Sequence, residues 1–385
     1  MWVLAKIKRI DWVLTFILLC FMAISYLAIS SSIYMDPVYG NSSMDTRTLQ
    51  FYGLGFAVML VTAFINYRLL LKLWIPAYLV GIGLLVAVLM FAEEKNGAKS
   101  WFELGSVNFQ PAEFMKLLLI LAIAGYIGYR KGESLGLFRD VVPIGLLAII
   151  PFGLVLIQPD LGNAVIFGVI VIGMLWMGNL KYRHVLIGLA IAIALLLTMQ
   201  SMYIKYHSEI ETFLSEQRKL HWMERIDTFL DPDNASDDAK YHVEKAVTAI
   251  GSGGLLGDGF KQGDSIRNRF IPYAFSDSIF VVIGEEFGFV GSAVLLLLYF
   301  LLIYRLIMVA IQCNNLSGAL IITGIVSMFV FQIFENIGML IGIMPLTGIT
   351  LPFISYGGTS ILINMLCLGV VQSIRVFQEQ PPSPY

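Results

Sequence analysis

The sequence predicts an all-α polytopic membrane protein of about ten transmembrane helices with one large extracellular loop. Three observations carry that expectation. Of 385 residues, 58% are hydrophobic and 14% charged, against about a quarter charged in soluble domains. Apolar runs of about twenty residues, the length that crosses a bilayer as a helix, recur from end to end. Lys and Arg gather in alternate loops, as the positive-inside rule requires. The whole chain, 1–385, reads as a single membrane domain, with 205–275 as its one large loop.

The ten segments run over 12–32, 48–66, 73–91, 111–128, 141–157, 160–178, 184–204, 276–304, 316–343 and 359–374. The first follows MWVLAKIKRID and exceeds the about 7–15 apolar residues of a secretory signal, so it reads as an uncleaved transmembrane helix. One side collects Lys6, Lys8, Arg9, Arg68, Lys72, Arg130, Lys131, Arg139, Lys181, Arg183, Arg305 and Arg375. The short loops of the other side hold only Arg47, Lys95 and Lys99. Both termini are therefore expected in the cytoplasm and the large loop outside. Within that loop, IETFLSEQRKLHWMERIDTFL spaces Phe213, Leu214, Leu220, Met223, Ile226 and Phe229 as an interfacial amphipathic helix would. The net charge of −2 points to no nucleic-acid partner, and the three cysteines form no framework. The four histidines lack metal-ligand spacing. No internal repeat is visible, which argues against transporter architectures built on inverted symmetry.

A charged side chain at bilayer depth is costly, so it faces a cavity or a partner. The acids here gather at the outer ends of helices. Segment four opens FQPAEFMK, segment six IQPDLGN and segment eight YAFSDSIF. Proline suits a first helical turn because its missing N–H is not needed there, and Glu113, Asp160 and Asp277 fall at first-turn or cap positions. An acid there stabilises its helix by about 0.3–1 kcal/mol, which is the reading taken for Asp160. Glu113 and Lys116 stand three apart on one helix face and are expected to pair. That pairing fits the neutralising of a buried acid and a functional role equally. Glu285 and Glu286, in AFSDSIFVVIGEEFG, lie roughly 12–13 Å beyond Asp277 at about 1.5 Å per residue. They are expected to pair with interior polar groups or line a cavity.

The junction of segments nine and ten, GIMPLTGITLPFISYGGTS, holds two prolines and four glycines in nineteen residues. Irregular backbone at membrane depth persists where it lines a protein-enclosed or wet cavity. Ser355, Gly357, Gly358 and Thr359 are therefore candidate site residues, with Thr359 or Ser360 alternatively the cap of segment ten. AIGSGGLLGDGFKQGD supplies six glycines between Gly251 and Gly263. Its N–H groups would suit a phosphate, although it matches neither a P-loop nor a dinucleotide fingerprint.

Together, NGAKSWFELGSVNFQPAEFMKL, QPDLGNAV, AIGSGGLLGDGF, IPYAFSDSIFVVIGEEFGFVG and PLTGITLPFISYGGTS resemble, in order and spacing, the motifs of the SEDS family (shape, elongation, division and sporulation), whose members include RodA, FtsW and SpoVE. The resemblance spans nearly the whole chain and is nearest to RodA of Gram-positive rods. It implies a ten-helix peptidoglycan glycosyltransferase of the bacterial plasma membrane. Such enzymes polymerise lipid II, a disaccharide-pentapeptide on undecaprenyl diphosphate, at the outer leaflet, here for rod-shape elongation. The implied partners are a class B penicillin-binding protein, which crosslinks the strands, and the cell-elongation machinery. The family's essential aspartate maps onto Asp277, and its acid and lysine in the segment-four motif map onto Glu113 and Lys116. Where the family often has arginine before the tryptophan of the first motif, this chain has Lys99 and Ser100, which makes Lys99 the candidate stand-in. Ala112 replaces a serine, and Lys245-Ala246 stands where Gln-Ser is common.

Joining sugars requires a hydroxyl to attack an anomeric carbon that carries a diphosphate. The leaving group is already good, so the protein must chiefly accept the hydroxyl proton and stabilise charge growing on the diphosphate. Asp277 is the expected base. An α-linked substrate and a β-linked product, as the family implies, mean direct inverting displacement. No cofactor is required by the sequence, and a divalent cation is left open. The alternatives are a flippase for lipid-linked precursor, which needs polar access from both faces, and a scaffold that only recruits a transpeptidase.

Overall fold

The computed structural model describes residues 6–34, 40, 42–93, 99–104, 107–130, 132–216, 237–268, 270–271 and 273–378. Apolar runs become helices, and in several a cap or proline fixes the first turn. Asp11 opens α1 (Trp12–Ser32) by accepting from the Val13 and Leu14 N–H groups. Then come α2 (Met44–Phe64), a short α3 (Tyr67–Lys72) capped by Asn66, and α4 (Trp74–Phe91). An antiparallel hairpin, β1 (Phe102–Leu104) and β2 (Val107–Phe109), leads into α5 (Pro111–Gly128), with Pro111 in its first turn. A π-helical turn, Leu137–Val141, precedes α6 (Val142–Ile157). Next are α7 (Leu161–Met177), α8 (Tyr182–Lys205) and α9 (His207–Glu216). The remaining helices are α10 (Asp237–Ser252), α11 (Asp264–Arg267), α12 (Ile279–Ile311), α13 (Leu316–Leu340) and α14 (Gly358–Val376).

Each of the ten expected segments is a helix, with ends shifted by a few residues. Among the described residues, eight helices are long and apolar enough to cross a membrane, and α7, at 17 residues, is shorter. Of the expected amphipathic helix over 210–230, α9 covers the beginning; the rest lies outside the described residues, as does Lys95. At the centre stands α5, buried along nearly its whole length between α4, α6, α7, α13 and α14. Beside it, α14 lies along α2, where Gly55 admits Met365 and Gly358 admits the ring of Phe51.

The two ends of the bundle differ. At one, the buried Asp11 carboxylate receives Arg305 at 2.6 Å and also Arg375, clasping α1 to the C-terminal ends of α12 and α14. The Gln372 side chain accepts from the Asp11 N–H at 2.9 Å, and Ser373 Oγ accepts from the Tyr67 N–H at 3.0 Å. The loops after α5 and α7 also meet there, through a Leu135–Leu180 bridge. These are the Lys- and Arg-rich connections of the sequence. The openings of α5, α7, α12 and α14 lie at the opposite end.

Helix α12 departs from expectation. It begins at Ile279, later than the 276 expected, with Ser278 as its N-cap, and it runs for 33 residues. A straight helix of that length would span about 50 Å at 1.5 Å per residue, well beyond an apolar core of about 30 Å. It is broken at Gly288, where φ is 61°. Before the break, Ile279 to Glu286 are buried in protein; after it, Phe289, Val290, Val294, Leu297 and Phe300 are exposed, as lipid-facing residues are. Such a break frees backbone groups that hydrocarbon cannot satisfy. The glycine-rich segment after α10 satisfies them. Asp258 and Gly259 N–H donate to the Glu285 and Glu286 carbonyls, both at 3.0 Å, while Phe289 and Val290 N–H donate to Gly254 and Leu255 at 2.9 and 3.1 Å.

That approach explains the glycines. A methyl at Gly253, Gly257 or Gly288 would strike facing backbone atoms, and Gly257 and Gly288 also hold positive φ. The expected phosphate cradle is corrected accordingly: the N–H groups of Gly257, Asp258 and Gly259 are spent on protein carbonyls. Gly288→Ala combines a left-handed backbone penalty of about 1–2 kcal/mol with overpacking of about 1–3 kcal/mol. It is expected to lower the thermal midpoint of the detergent-purified protein sharply, whereas Gly168→Ala, which meets open space, leaves it unchanged.

Candidate functional site

Two neighbouring helix starts build the first part of the site. In α5, Pro111 opens the first turn, which carries Glu113, and Lys116 follows on the same face, where its Nζ reaches Glu113 Oε1 at 2.7 Å. Both are buried, at 4% and 0% exposure. The same ammonium donates to Asn163 Oδ1 at 3.1 Å. Asn163 belongs to the first turn of α7, whose N-cap is Asp160: Asp160 Oδ1 accepts from the Asn163 N–H at 3.1 Å. Asp160 Oδ2 accepts from Asn163 Nδ2 at 2.8 Å and from Gln110 Nε2 at 2.9 Å. Asp160 is thus a cap that also closes a chain of hydrogen bonds from Gln110 to Glu113. Lys99 lies half-buried just before Ser100, whose hydroxyl donates to the Gln158 carbonyl at 3.1 Å.

The junction between α13 and α14 is the second part, and it stays irregular because side chains from four helices satisfy its carbonyls. Asn336 Nδ2 donates to Ile349 at 2.7 Å, Tyr299 to Pro352 at 2.5 Å, Tyr52 to Phe353, and Ser25 to Ile354 at 2.8 Å. Within the junction, Ser355 Oγ accepts from the Leu351 N–H at 2.8 Å, and the Tyr356 N–H donates to the Phe275 carbonyl at 2.8 Å. Ser355 and Gly358 therefore shape the backbone. Gly357, extended at φ −174°, is the N-cap of α14, which corrects the placing of the cap at Thr359 or Ser360. The Thr359 hydroxyl donates instead to the Asn108 carbonyl of the hairpin.

Asp277 stands on this junction. It precedes the N-cap Ser278 by one residue, so the expected first-turn or cap position is corrected to one just outside the helix. Its side chain is half-buried, with Oδ2 facing Gly348 so closely that a methyl there would lie 3.5 Å away. Its carbonyl accepts from Asn336 Nδ2 at 2.6 Å. The cluster at α5 and α7 reaches the same junction, because Gly162 packs against Thr347 and Ile349. Glu285 and Glu286 belong elsewhere. Glu285 accepts from the Ser265 N–H at 2.8 Å and from its hydroxyl, and Glu286 accepts from Ser31.

Three further buried polar residues were not singled out in the sequence: Gln332, Glu335 and Asn336 of α13. The signal was present, since FQIFENIGM places an acid and two amides in an otherwise apolar span.

The family model for FtsW, RodA and SpoVE cell cycle proteins matches residues 10–380. The chain belongs to this family. As a member it is 32% identical over 380 residues to the peptidoglycan glycosyltransferase MrdB of Escherichia coli, covering 96% of this chain and 95% of that protein. Among solved structures, a chain from a work on the coordination of polymerization and crosslinking by a peptidoglycan synthase complex is similar with a TM-score of 0.78. It is 33% identical and covers 97% of this chain and 99% of that one. The rod shape determining protein RodA of Thermus thermophilus superposes with a TM-score of 0.68 at 31% identity, covering 97% and 98%.

Breaking the buried pair should be costly. Lys116→Met strands Glu113, whose Oε2 already has no partner within the described residues, and a broken buried pair costs about 3–5 kcal/mol. The expected outcome is a much lower thermal midpoint for Lys116→Met and for Glu113→Gln, with the double variant recovering most of the loss.

Proposed function

We propose that this chain is a lipid II polymerase of the bacterial plasma membrane, with Asp277 as general base. The observation that carries the reading is the seat of Asp277: a half-buried carboxylate against Gly348, at the one end of the bundle where the openings of α5, α7, α12 and α14 converge. Asp277 takes the proton of a sugar hydroxyl as that oxygen bonds to the anomeric carbon of a second saccharide. The anomeric bond to the diphosphate breaks on the opposite side, and the electron pair leaves with undecaprenyl diphosphate. Glu113 and Lys116 neutralise one another, so their part is to hold the α5 and α7 starts in register. Among the described residues no group of three His, Cys, Asp or Glu side chains is placed to ligate a metal.

A class B penicillin-binding protein as partner and a role in cell elongation are further parts of this proposal, supported by the similarity to RodA and to a chain of a polymerizing and crosslinking complex. The concentration of buried polar groups at one end favours an enzyme over a flippase, since the other end is closed by the Asp11 clasp.

Asp277→Asn keeps size and removes basicity, which is worth about 10²–10⁴-fold in rate. The purified variant is expected to fold, bind lipid II and yield almost no polymer by gel analysis; near-normal polymer would sink the assignment. The proposed orientation places α10 outside the cell. An impermeant thiol reagent should label Asp237→Cys in intact cells and spare Arg139→Cys.

A further inference from the structure

We propose that Asn336 is a positioning residue for the base. Its amide holds the segment that carries Asp277 against the backbone that the carboxylate faces, and so sets the rate of sugar transfer without touching the sugar. The inference rests on the polymerase reading above.

Asn336 lies one turn before the C-terminal end of α13 and is buried, at 0% exposure. Its Nδ2 donates to the Asp277 carbonyl at 2.6 Å and to the Ile349 carbonyl at 2.7 Å. The first carbonyl belongs to the residue that bears the carboxylate. The second belongs to the residue after Gly348, which Asp277 Oδ2 faces. One side chain therefore grips both the base and the wall opposite it. Tyr299, Tyr52 and Ser25 each hold one carbonyl of the junction, at Pro352, Phe353 and Ile354. Of these four residues, Asn336 is the one that also reaches the Asp277 segment. The grip extends to the neighbouring cluster, because Ile349 packs on Gly162 in the first turn of α7.

The task calls for an asparagine. An amide nitrogen carries two hydrogens in one plane, and both are used here. A flipped amide would set its oxygen against two carbonyl oxygens. An ionised aspartate has no hydrogen to give, serine and threonine have one, and glutamine carries its amide a methylene further out. Gly348 completes the arrangement, since its φ of 74° suits glycine and its missing side chain lets the carboxylate sit close. Asp277 itself precedes the N-cap Ser278, on the turn before α12. Its placing thus depends on the Asn336 grip, together with the Tyr356 N–H that holds the Phe275 carbonyl two residues earlier.

The test compares full-length Asn336→Leu with the unaltered protein in detergent, following polymer formed at a series of lipid II concentrations. Leucine keeps the branching of asparagine and donates nothing. Lipid II binding is read separately in the Asp277→Asn background, with and without Asn336→Leu, so that no turnover interferes. A shift of about 1 Å at a reacting group costs about 10²-fold, so kcat is expected to fall about tenfold to a hundredfold, with KM and lipid II affinity changed less than about twofold. Ser373→Ala serves as the control, because it removes a buried hydrogen bond at the clasp end, far from Asp277. It should lower the thermal midpoint and leave kcat unchanged. Unchanged kcat in folded Asn336→Leu would mean that the two hydrogen bonds support the fold only. A loss confined to KM and affinity would mean that Asn336 shapes binding, and an equal fall of kcat in Ser373→Ala would mean general loosening. Each of these overturns the proposal. Should Asn336→Leu fail to fold, Asn336→Gln, which keeps both donors on a longer stem, decides by the same criteria. Near-normal polymer from Asp277→Asn would remove the base assignment and this inference with it. An inactive Asp277→Asn beside a fully active Asn336→Leu would remove this inference alone.

Discussion

Hydrocarbon offers no hydrogen bonds, so every peptide group that leaves a helix at membrane depth must find its partner in the protein. The irregular parts of this chain are arranged around that demand. The α13–α14 junction survives because Asn336, Tyr299, Tyr52 and Ser25 reach in from four helices and take its carbonyls one by one. The break at Gly288 survives because the segment after α10 lies against it and exchanges backbone hydrogen bonds on both sides. Each device ties distant stretches of sequence together, and the candidate site lies at the first of them.

The same demand determines how rigid the site is. Asp277 is carried on a turn that precedes the helix, where its carbonyl is held by Asn336 and the neighbouring Phe275 carbonyl by the Tyr356 N–H. The first turns of α5 and α7 are locked to one another through Lys116, Asn163, Asp160 and Gln110. Packed and hydrogen-bonded neighbours thus hold the backbone of Asp277 and both helix starts in place. Here this is achieved with loops that a soluble protein would leave to water.

The helices were legible in the sequence because apolar length is a property of one dimension, and a proline or acid marks the start of several, α1, α5 and α7 among them. The Glu113–Lys116 pair was legible for the same reason: three residues apart on a helix means one face. What lay beyond reach depends on residues far apart in the chain. Nothing local tells that Gly288 takes a positive φ, or that Gly253 and Gly257 serve the close approach of a neighbouring helix rather than an anion. Thr359 looked like a cap because hydroxyls often are, but the hairpin carbonyl of Asn108 claimed it. Glu335 was in plain view as an acid in an apolar run and was overshadowed by acids at helix starts.

The clasp of Asp11 with Arg305 and Arg375 has a bearing on the energetics of the cell as well as on the fold. A polar interior is a hazard in a membrane that stores energy as a proton gradient, since a file of water and acids from face to face would discharge it. From Leu117 to Ala124 the central helix α5 is buried and wholly apolar, a plug of roughly 12 Å at about 1.5 Å per residue. Beyond it the guanidinium groups at the clasp repel an approaching cation. The buried carboxylates at one end are thus separated from the clasp at the other by an apolar stretch of the central helix.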